Sequence, residues 1–295
     1  GTEPSYHGIT SDSWYLPLKN EFIYCTKDVS VNPVGGSYES GLHSPANLNA
    51  STFADELKTA TGKKAKVYSV GIKEYASIFS GGHAADGVFW YDNTTGTWMS
   101  STYYMKELPA WANDFNALRY SETYLSTTWN LLRQPADYTT CLRDSNKFET
   151  GFNGLNYFPY DINKLSRPSG RNSARNYAFL RETPFSDAFT TDFAIKLIEK
   201  EGLGTDEILI SFRYHILQQI ISGTGLAPRQ WNRVMRSCVS TGILKLFLLT
   251  LMTKLEKGTF LYISLHHMVF RRFLQLWRIQ GYLQDISSRI RPFSC

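Results

Sequence analysis

The 295-residue sequence has no uninterrupted apolar run that could cross a membrane. Its most apolar stretch, residues 246–252, is far shorter than the roughly 18 residues that a membrane-spanning helix needs. There are only four cysteines, widely spaced and without a Cys-x-x-Cys pair, which argues against a zinc ribbon and a dense disulfide framework. With 42% hydrophobic and 15% aromatic residues, the sequence is typical of a globular protein with a well-buried core.

Acidic residues nearly vanish from the last part of the chain. Residues 213–295 contain twelve Lys and Arg but only two acids, Glu256 and Asp285, for a net charge of +10 within a chain whose total is +5. The preceding 212 residues therefore have a net charge of −5. Such a break predicts one of three things: a basic binding tail, a separate domain, or a stretch that is not the native reading of its gene.

The acidic part of the chain alternates helix and strand signals. We predict a helix over residues 52–60 with Ser51 as its N-cap, and then a buried strand over 66–72. Two aromatic and β-branched runs, 88–91 and 97–101, flank an Asn-Thr-Thr-Gly turn sequence and predict a hairpin. A further helix is expected to begin at Pro109 and to end near residue 118.

The stretch from 120 to 181 contains few regular signals and is predicted to consist mainly of loops. It is followed by the clearest helix, over 185–201, and by a strand over 207–212. This pattern predicts an α/β fold with a doubly wound, mainly parallel sheet flanked by helices, incomplete and with an irregular C-terminal tail. We accordingly predict two parts: a partial α/β domain over 1–212, and a basic segment over 213–295 that is frameshifted or poorly ordered.

Several motifs stand in an order that one protein family shares. They are Gly-Thr-x-Pro-x-x-His-Gly-Ile from residue 1, Thr-Phe-Ala-Asp-Glu-Leu from 52, Gly-Gly-His-Ala-Ala-Asp from 81 and Thr-Pro-Phe from 183. On these motifs the chain resembles the alkaline phosphatase superfamily, in its type I phosphodiesterase and nucleotide pyrophosphatase branch, and most closely bacterial alkaline phosphatases with a threonine nucleophile. The resemblance implies hydrolysis of small-molecule phosphomonoesters or phosphodiesters, with no nucleic-acid partner, in the periplasm or at the cell surface.

The resemblance also implies a mechanism with two zinc ions at the carboxyl ends of sheet strands. One zinc ion would activate a threonine alkoxide that takes the phosphoryl group, and the other would activate the water that removes it. The chain begins at Gly1 without Met or a leader, so we expect a fragment of a longer protein, with the nucleophile and the first aspartate ligand upstream. Because no zinc ligand is identifiable in the sequence, we expect this chain to be inactive as it stands.

Three positions match the family's phosphate-binding motifs. Lys73, in Gly-Ile-Lys after a strand, corresponds to a lysine that donates to the transferred phosphoryl oxygens; the plainer alternative is a solvated lysine at a strand-to-helix turn. Asp12 stands where monoesterases have an Asn donor, and an ionised Asp cannot donate. Tyr75 stands where they have an Arg, and a phenol is a neutral single donor. Both departures weaken the expectation of a monoester substrate.

The conspicuous histidines and aromatic residues have plainer interpretations. His7 precedes a glycine and is expected to shape a loop. His83, in a Gly-Gly-His loop, is expected to cap backbone groups rather than to bind metal. Most of the aromatic residues between 89 and 111 are expected to belong to the core.

The sequence after residue 212 departs from the family abruptly. There the family's strand leads into Asp-Tyr-Ile-Gly-His, whose Asp and His bind zinc, whereas this chain continues with Arg-Tyr-His-Ile-Leu. Codons for residues 219–225, read from the third base, permit Asp-Tyr-Ile-Gly-His-Arg, which is the basis for predicting a frameshift. Two alternatives stay open: a non-catalytic module whose basic tail binds anionic membrane or nucleic acid, and a metal-free module that binds carbohydrate or phosphate.

Overall fold

The computed structural model describes residues 3–18, 20–131, 134–137, 155–167 and 174–204 in full, and residues 210–215 and 261–265 through their backbone. The helices are α1 (Pro4–His7), α2 (Tyr38–Gly41), α3 (Phe53–Ala60), α4 (Glu74–Gly81), α5 (Ala110–Ala117), α6 (Tyr120–Leu125), α7 (Ile162–Leu165) and α8 (Phe185–Lys200). Two short 3₁₀ helices, η1 (Pro135–Asp137) and η2 (Tyr177–Glu182), lie among them. The strands are β1 (Ser13–Leu16), β2 (Glu21–Tyr24), β3 (Pro33–Val34), β4 (Lys66–Gly71), β5 (Gly87–Tyr91), β6 (Trp98–Ser101), β7 (Thr128–Trp129), β8 (Tyr160–Asp161), β9 (Ile210–His215) and β10 (Leu261–Leu265).

A mixed six-stranded sheet organises the fold, in the order β10-β9-β4-β5-β6-β3. Strands β10, β9, β4 and β5 are mutually parallel, whereas β6 and β3 are antiparallel to their neighbours. The chain proceeds from β4 to β5 on one side and from β9 to β10 on the other, so the strand order reverses between β4 and β9. In open α/β sheets, ligands bind outside the carboxyl ends of the strands at such a point.

Helices cover both faces of the sheet, as expected for a doubly wound fold. On one face, Phe89, Tyr91 and Trp98 pack with Phe189 and Phe193 of α8. On the other, Val88, Trp90 and Met99 form a separate cluster with Ile78 of α4. Alternate residues of β5 thus enter opposite cores, which is the period-two pattern of a strand buried on both faces. The predicted α/β class, the hairpin and most of the expected aromatic core are confirmed.

The N-terminus of α3 corrects the predicted cap. Thr52, not Ser51, is the N-cap: the Thr52 hydroxyl accepts from the Asp55 N–H at 3.2 Å, and the Asp55 carboxylate accepts from the Thr52 N–H at 2.8 Å. A capping box needs its two partners three residues apart, and this spacing selects Thr52. The Ser51 hydroxyl instead donates to Glu56.

Several elements were not predicted. We predicted mainly loops from 120 to 181. The structure has more regular elements there: α6, α7, η2 and the short β7–β8 pair. These elements have few residues each, and they are stabilised by packing rather than by local periodicity. The β1–β2 hairpin, with Ser13 opposite Tyr24, was also missed.

The strand predicted over 207–212 appears as β9, which continues to His215 and pairs in parallel with β10. The predicted domain boundary at 212 therefore falls inside a strand, and the two-part division stays a prediction. The segment whose codons suggested a frameshift, 219–225, lies outside the described residues. No helix in the described part of the chain is long and apolar enough to span a membrane.

Candidate functional site

The turn between β4 and α4 lies at the carboxyl end of the central parallel strands. Ile72 is buried directly after β4, and Lys73 then forms the N-cap of α4 with an extended backbone (φ −99°, ψ 132°). The side chain of this N-cap residue makes no capping hydrogen bond. The uncapped N–H groups and the helix dipole together favour an anion at this position.

Lys73 is half-buried beside an aromatic ring. Its Nζ atom lies 5.2 Å from the centroid of the Tyr75 ring, within the range of a cation–π contact. Burial lowers the pKa of Lys73, and the charge of Arg181 lowers it further, whereas the carboxylates of Glu74, Asp12 and Glu182 oppose the shift. The ammonium group is thus held in a partly desolvated, electrostatically crowded place, where an added anion would interact with it more strongly than in water.

Tyr75 and Asp12 belong to the same electrostatic cluster. Burial, reinforced by the carboxylates of Asp12 and Glu74, raises the pKa of Tyr75 to about 12, so its phenol stays protonated at neutral pH. Asp12 is exposed, and its backbone carbonyl accepts from the Cys25 N–H at 2.9 Å, which fixes it to the end of β2. The structure therefore brings Asp12, which is distant in sequence, close to Lys73 and Tyr75.

A second layer of residues, not predicted from the sequence, supports this cluster. The Tyr24 hydroxyl donates to the carboxylate of Glu74, the residue that follows Lys73. His43 lies edge-on to Tyr24 and hydrogen-bonds to the Thr26 hydroxyl at 3.0 Å, and burial lowers the pKa of this imidazole. Burial raises the pKa of the Cys25 thiol to about 12, which keeps it protonated. The short strand β2 has no alternating burial pattern that could have singled out Tyr24.

His83 and His7 have the structural roles expected of them. The His83 ring hydrogen-bonds to the Leu48 carbonyl at 3.0 Å and to the Asp55 carboxylate at 3.2 Å. The His7 ring accepts from the Ile9 N–H at 3.1 Å. Among the residues that the structure describes, no group of three or more His, Cys, Asp and Glu side chains is arranged to hold a metal ion.

Comparisons with known proteins agree with the fold and with the motifs. The chain is 38% identical over 217 residues to alkaline phosphatase PhoV of Synechococcus elongatus, covering 72% of this chain and 38% of that protein. It is 37% identical over 215 residues to alkaline phosphatase PafA of Elizabethkingia meningoseptica, covering 70% of this chain and 38% of that protein. A crystal structure of PafA superimposes with a TM-score of 0.81 at 32% identity, over 88% of this chain and 50% of that one.

The chain belongs to the alkaline phosphatase superfamily. No family model matches it. A further relative, from Myroides odoratus, is named a calcium-transporting ATPase and is 36% identical over 213 residues, covering 72% of this chain and 38% of that protein. This superfamily member spans about 38% of the length of each of these three curated relatives.

The zinc ions that the resemblance implies find no ligand set in the described residues. The carboxylates of Glu74, Asp12 and Glu182 raise the pKa of Lys73 through their charge. Glu74 also accepts a hydrogen bond from the Tyr24 hydroxyl. Zinc is held by combinations of imidazole, thiolate and carboxylate ligands, and no three such groups converge in the part of the chain that the structure describes. The described residues therefore do not form a zinc ligand set, and the cation and helix N-terminus at the β4–α4 turn are suited instead to an anion.

Proposed function

We propose that residues 3–204 form the phosphoryl-binding part of a phosphate ester hydrolase, in which Lys73 contacts the transferred phosphoryl group. One observation carries this proposal: Lys73 stands at the uncapped N-terminus of α4, at the carboxyl end of β4, where the strand order of the sheet reverses. A helix N-terminus and a converging ammonium group are complementary to a phosphate. The superfamily supports phosphate esters as the substrate class.

Lys73 would act on charge that develops during phosphoryl transfer. Negative charge spreads over the phosphoryl oxygens in the transition state, and a donor that is already oriented there need not reorganise. Tyr75 keeps the ammonium group in place through its ring and offers one neutral hydroxyl donor. Asp12, when ionised, can only accept hydrogen bonds, so its role would be to orient donors rather than to bind phosphate.

A relative supports the placement of Lys73 and Tyr75. One PafA structure, with a TM-score of 0.81 and 31% identity, carries substitutions of a threonine, an asparagine, a lysine and an arginine, the last two being two positions apart. Lys73 and Tyr75 have the same spacing. We propose that an intact relative completes the reaction with two zinc ions and a threonine nucleophile, outside the cytoplasm. Because neither the family's threonine nucleophile nor its zinc ligands can be identified among the motifs of the sequence, we expect the 295-residue chain alone not to turn over substrate.

The proposal is tested by titrating the full chain with inorganic phosphate and following backbone amide shifts by NMR. We expect saturable binding that Lys73→Ala weakens by about tenfold or more, the usual effect of losing a charged hydrogen-bond donor. The matched control is Lys164→Ala, because Lys164 is an exposed cation on α7, which contacts β7 and β8 instead. Equal binding by Lys73→Ala and the control would overturn the proposal.

The same protein also tests the expected inactivity. Supplied with zinc, the chain should hydrolyse neither a chromogenic phosphomonoester nor a phosphodiester. Zinc-dependent turnover above a protein-free blank would show that the chain holds a complete centre after all.

A further inference from the structure

The β4–α4 turn contributes one cation where the family has two. Tyr75 occupies the position of the family's arginine, and its ring lies beneath the Lys73 ammonium group. A phosphate monoester is a dianion at neutral pH, and lysine alone meets it as a single point charge. The structure therefore raises the question of whether another element supplies a second cation.

The 3₁₀ helix η2 is docked at the same end of the sheet. The Tyr91 hydroxyl, at the end of β5, donates to the backbone carbonyl of Tyr177 at 3.0 Å, and Tyr177 is the first residue of η2. Because Gly71 pairs with Trp90 in the parallel register of β4 and β5, Tyr91 lies beside the residue that leads into Lys73. The start of η2 is thus attached one strand away from the β4–α4 turn.

Within η2, one charged side chain acts electrostatically on the groups at the turn. Phe179 and Leu180 are buried against the core, and the half-buried Arg181 follows them in the last turn. Its guanidinium charge acts on both Lys73 and Tyr75: after burial, it is the next largest cause that lowers the pKa of Lys73, and it moderates the rise in the pKa of Tyr75. Arg181 also acts on Tyr91, which is consistent with the docking of η2.

We infer that Arg181 supplies the second cation of the phosphoryl site, in place of the guanidinium that is absent at residue 75, and that the site thereby takes dianionic phosphate monoesters. This inference rests on the proposed role of Lys73. Two cations held close together repel each other, and in the free protein the neighbouring carboxylates of Asp12, Glu74 and Glu182 offset part of this repulsion. A bound dianion would interact favourably with both cations, and a guanidinium can hold two of its oxygens at once.

The test compares two probes in the full chain by NMR titration: inorganic phosphate at pH 8, which is mainly a dianion, and dimethyl phosphate, which is a monoanion. Arg181→Ala should weaken phosphate binding by about tenfold or more and dimethyl phosphate binding less. Arg181→Gln, which keeps most of the side-chain volume, should behave in the same way. Lys164→Ala again serves as the control for a change in net charge.

The decisive variant moves the cation back to the β4–α4 turn. Tyr75→Arg combined with Arg181→Ala should recover most of the lost phosphate affinity, because residue 75 in the first turn of α4 would then supply the guanidinium. If Lys73→Ala weakens binding but Arg181→Ala and Arg181→Gln match the control, the inference is wrong and the proposed function stands. If none of these variants differs from the control, both are wrong. Failure of the double variant to recover binding would refute the exchange of one guanidinium for the other.

Discussion

The charged groups at the two ends of α4 differ in how they are paired. At its C-terminal end, the nearly buried Asp55 carboxylate accepts from the Thr52 N–H at 2.8 Å, the His83 N–H at 2.7 Å and the Ala84 N–H at 2.8 Å. At its N-terminal end, Lys73 is half-buried without a capping contact, and its cationic form is disfavoured by burial. The Asp55 carboxylate is therefore paired with donors of the protein itself, whereas the Lys73 ammonium group is suited to bind an external anion.

This difference predicts that Asp55 contributes mainly to stability and Lys73 mainly to binding. A buried carboxylate with several backbone donors cannot be removed without leaving those N–H groups unpaired, and each one then costs free energy. A cation that is already disfavoured in the folded state can be removed at little cost. Asp55 of α3, which binds the residues after the C-terminal end of α4, and Lys73 at the N-terminal end of α4 should therefore respond differently to substitution, and the next three predictions test this.

The largest effect is expected at Asp55. Asp55→Ala should lower the free energy of unfolding by about 3 kcal/mol, because it removes the capping box of α3 and leaves the backbone donors of His83 and Ala84 unpaired. Urea unfolding monitored by circular dichroism measures the change. Glu56→Ala, which removes an exposed carboxylate from the same helix, is the control and should stay within about 0.5 kcal/mol of the parent. Equal effects of the two substitutions would contradict the structural role of Asp55.

A smaller effect concerns the pH dependence of stability. Burial acts to raise the pKa of Asp55, but hydrogen bonds from Thr52, His83 and Ala84 outweigh it and hold the pKa below the usual 3.8. The ionised form is therefore favoured by folding, and its contribution is present above pH 3.8 and is lost as the pH falls through the lower folded-state value. We expect Asp55→Asn to make the acid-side loss of stability shallower than in the parent.

The carboxylates of Asp28 and Asp92 have pKa values shifted in the same direction, so the acid-side loss should decrease without disappearing. Unfolding free energies measured in urea from pH 5 down to pH 2 provide the comparison. An unchanged slope in Asp55→Asn would mean that the hydrogen bonds to this carboxylate do not favour its ionised form.

The smallest effect is expected at Lys73. Its folded-state pKa lies below the usual 10.5, so the protonated form is the one that folding disfavours, and this cost is present at neutral pH. Lys73→Met keeps the aliphatic stem and removes the charge. Because water screens this half-buried group, the free energy of unfolding at pH 7 should stay the same or rise by no more than about 0.5 kcal/mol. A loss comparable to that of Asp55→Ala would remove the distinction between the two ends of α4.

Much of the fold followed from local patterns, and most of the site did not. The boundaries of α3, β4, the β5–β6 hairpin, α5 and α8 depend on capping residues, alternation and turn sequences that act within a few residues. Lys73 could be singled out because the family motif sits at a strand-to-helix turn. The roles of Tyr24 and Arg181 depend instead on which distant segments meet at the sheet edge, and a single sequence contains no local signal for this.

The hydrogen bond from Tyr91 to the Tyr177 carbonyl has a consequence for the order of folding. The groups around Lys73 come from turns near residues 12, 73 and 181, so they converge only after the chain has closed loops of very different length. Contacts of such long range must close large loops, so we expect them to form after local helices and hairpins. Phosphate should therefore bind the native state and ignore partly folded chains, and by mass action it would favour completion of the last docking step of the domain.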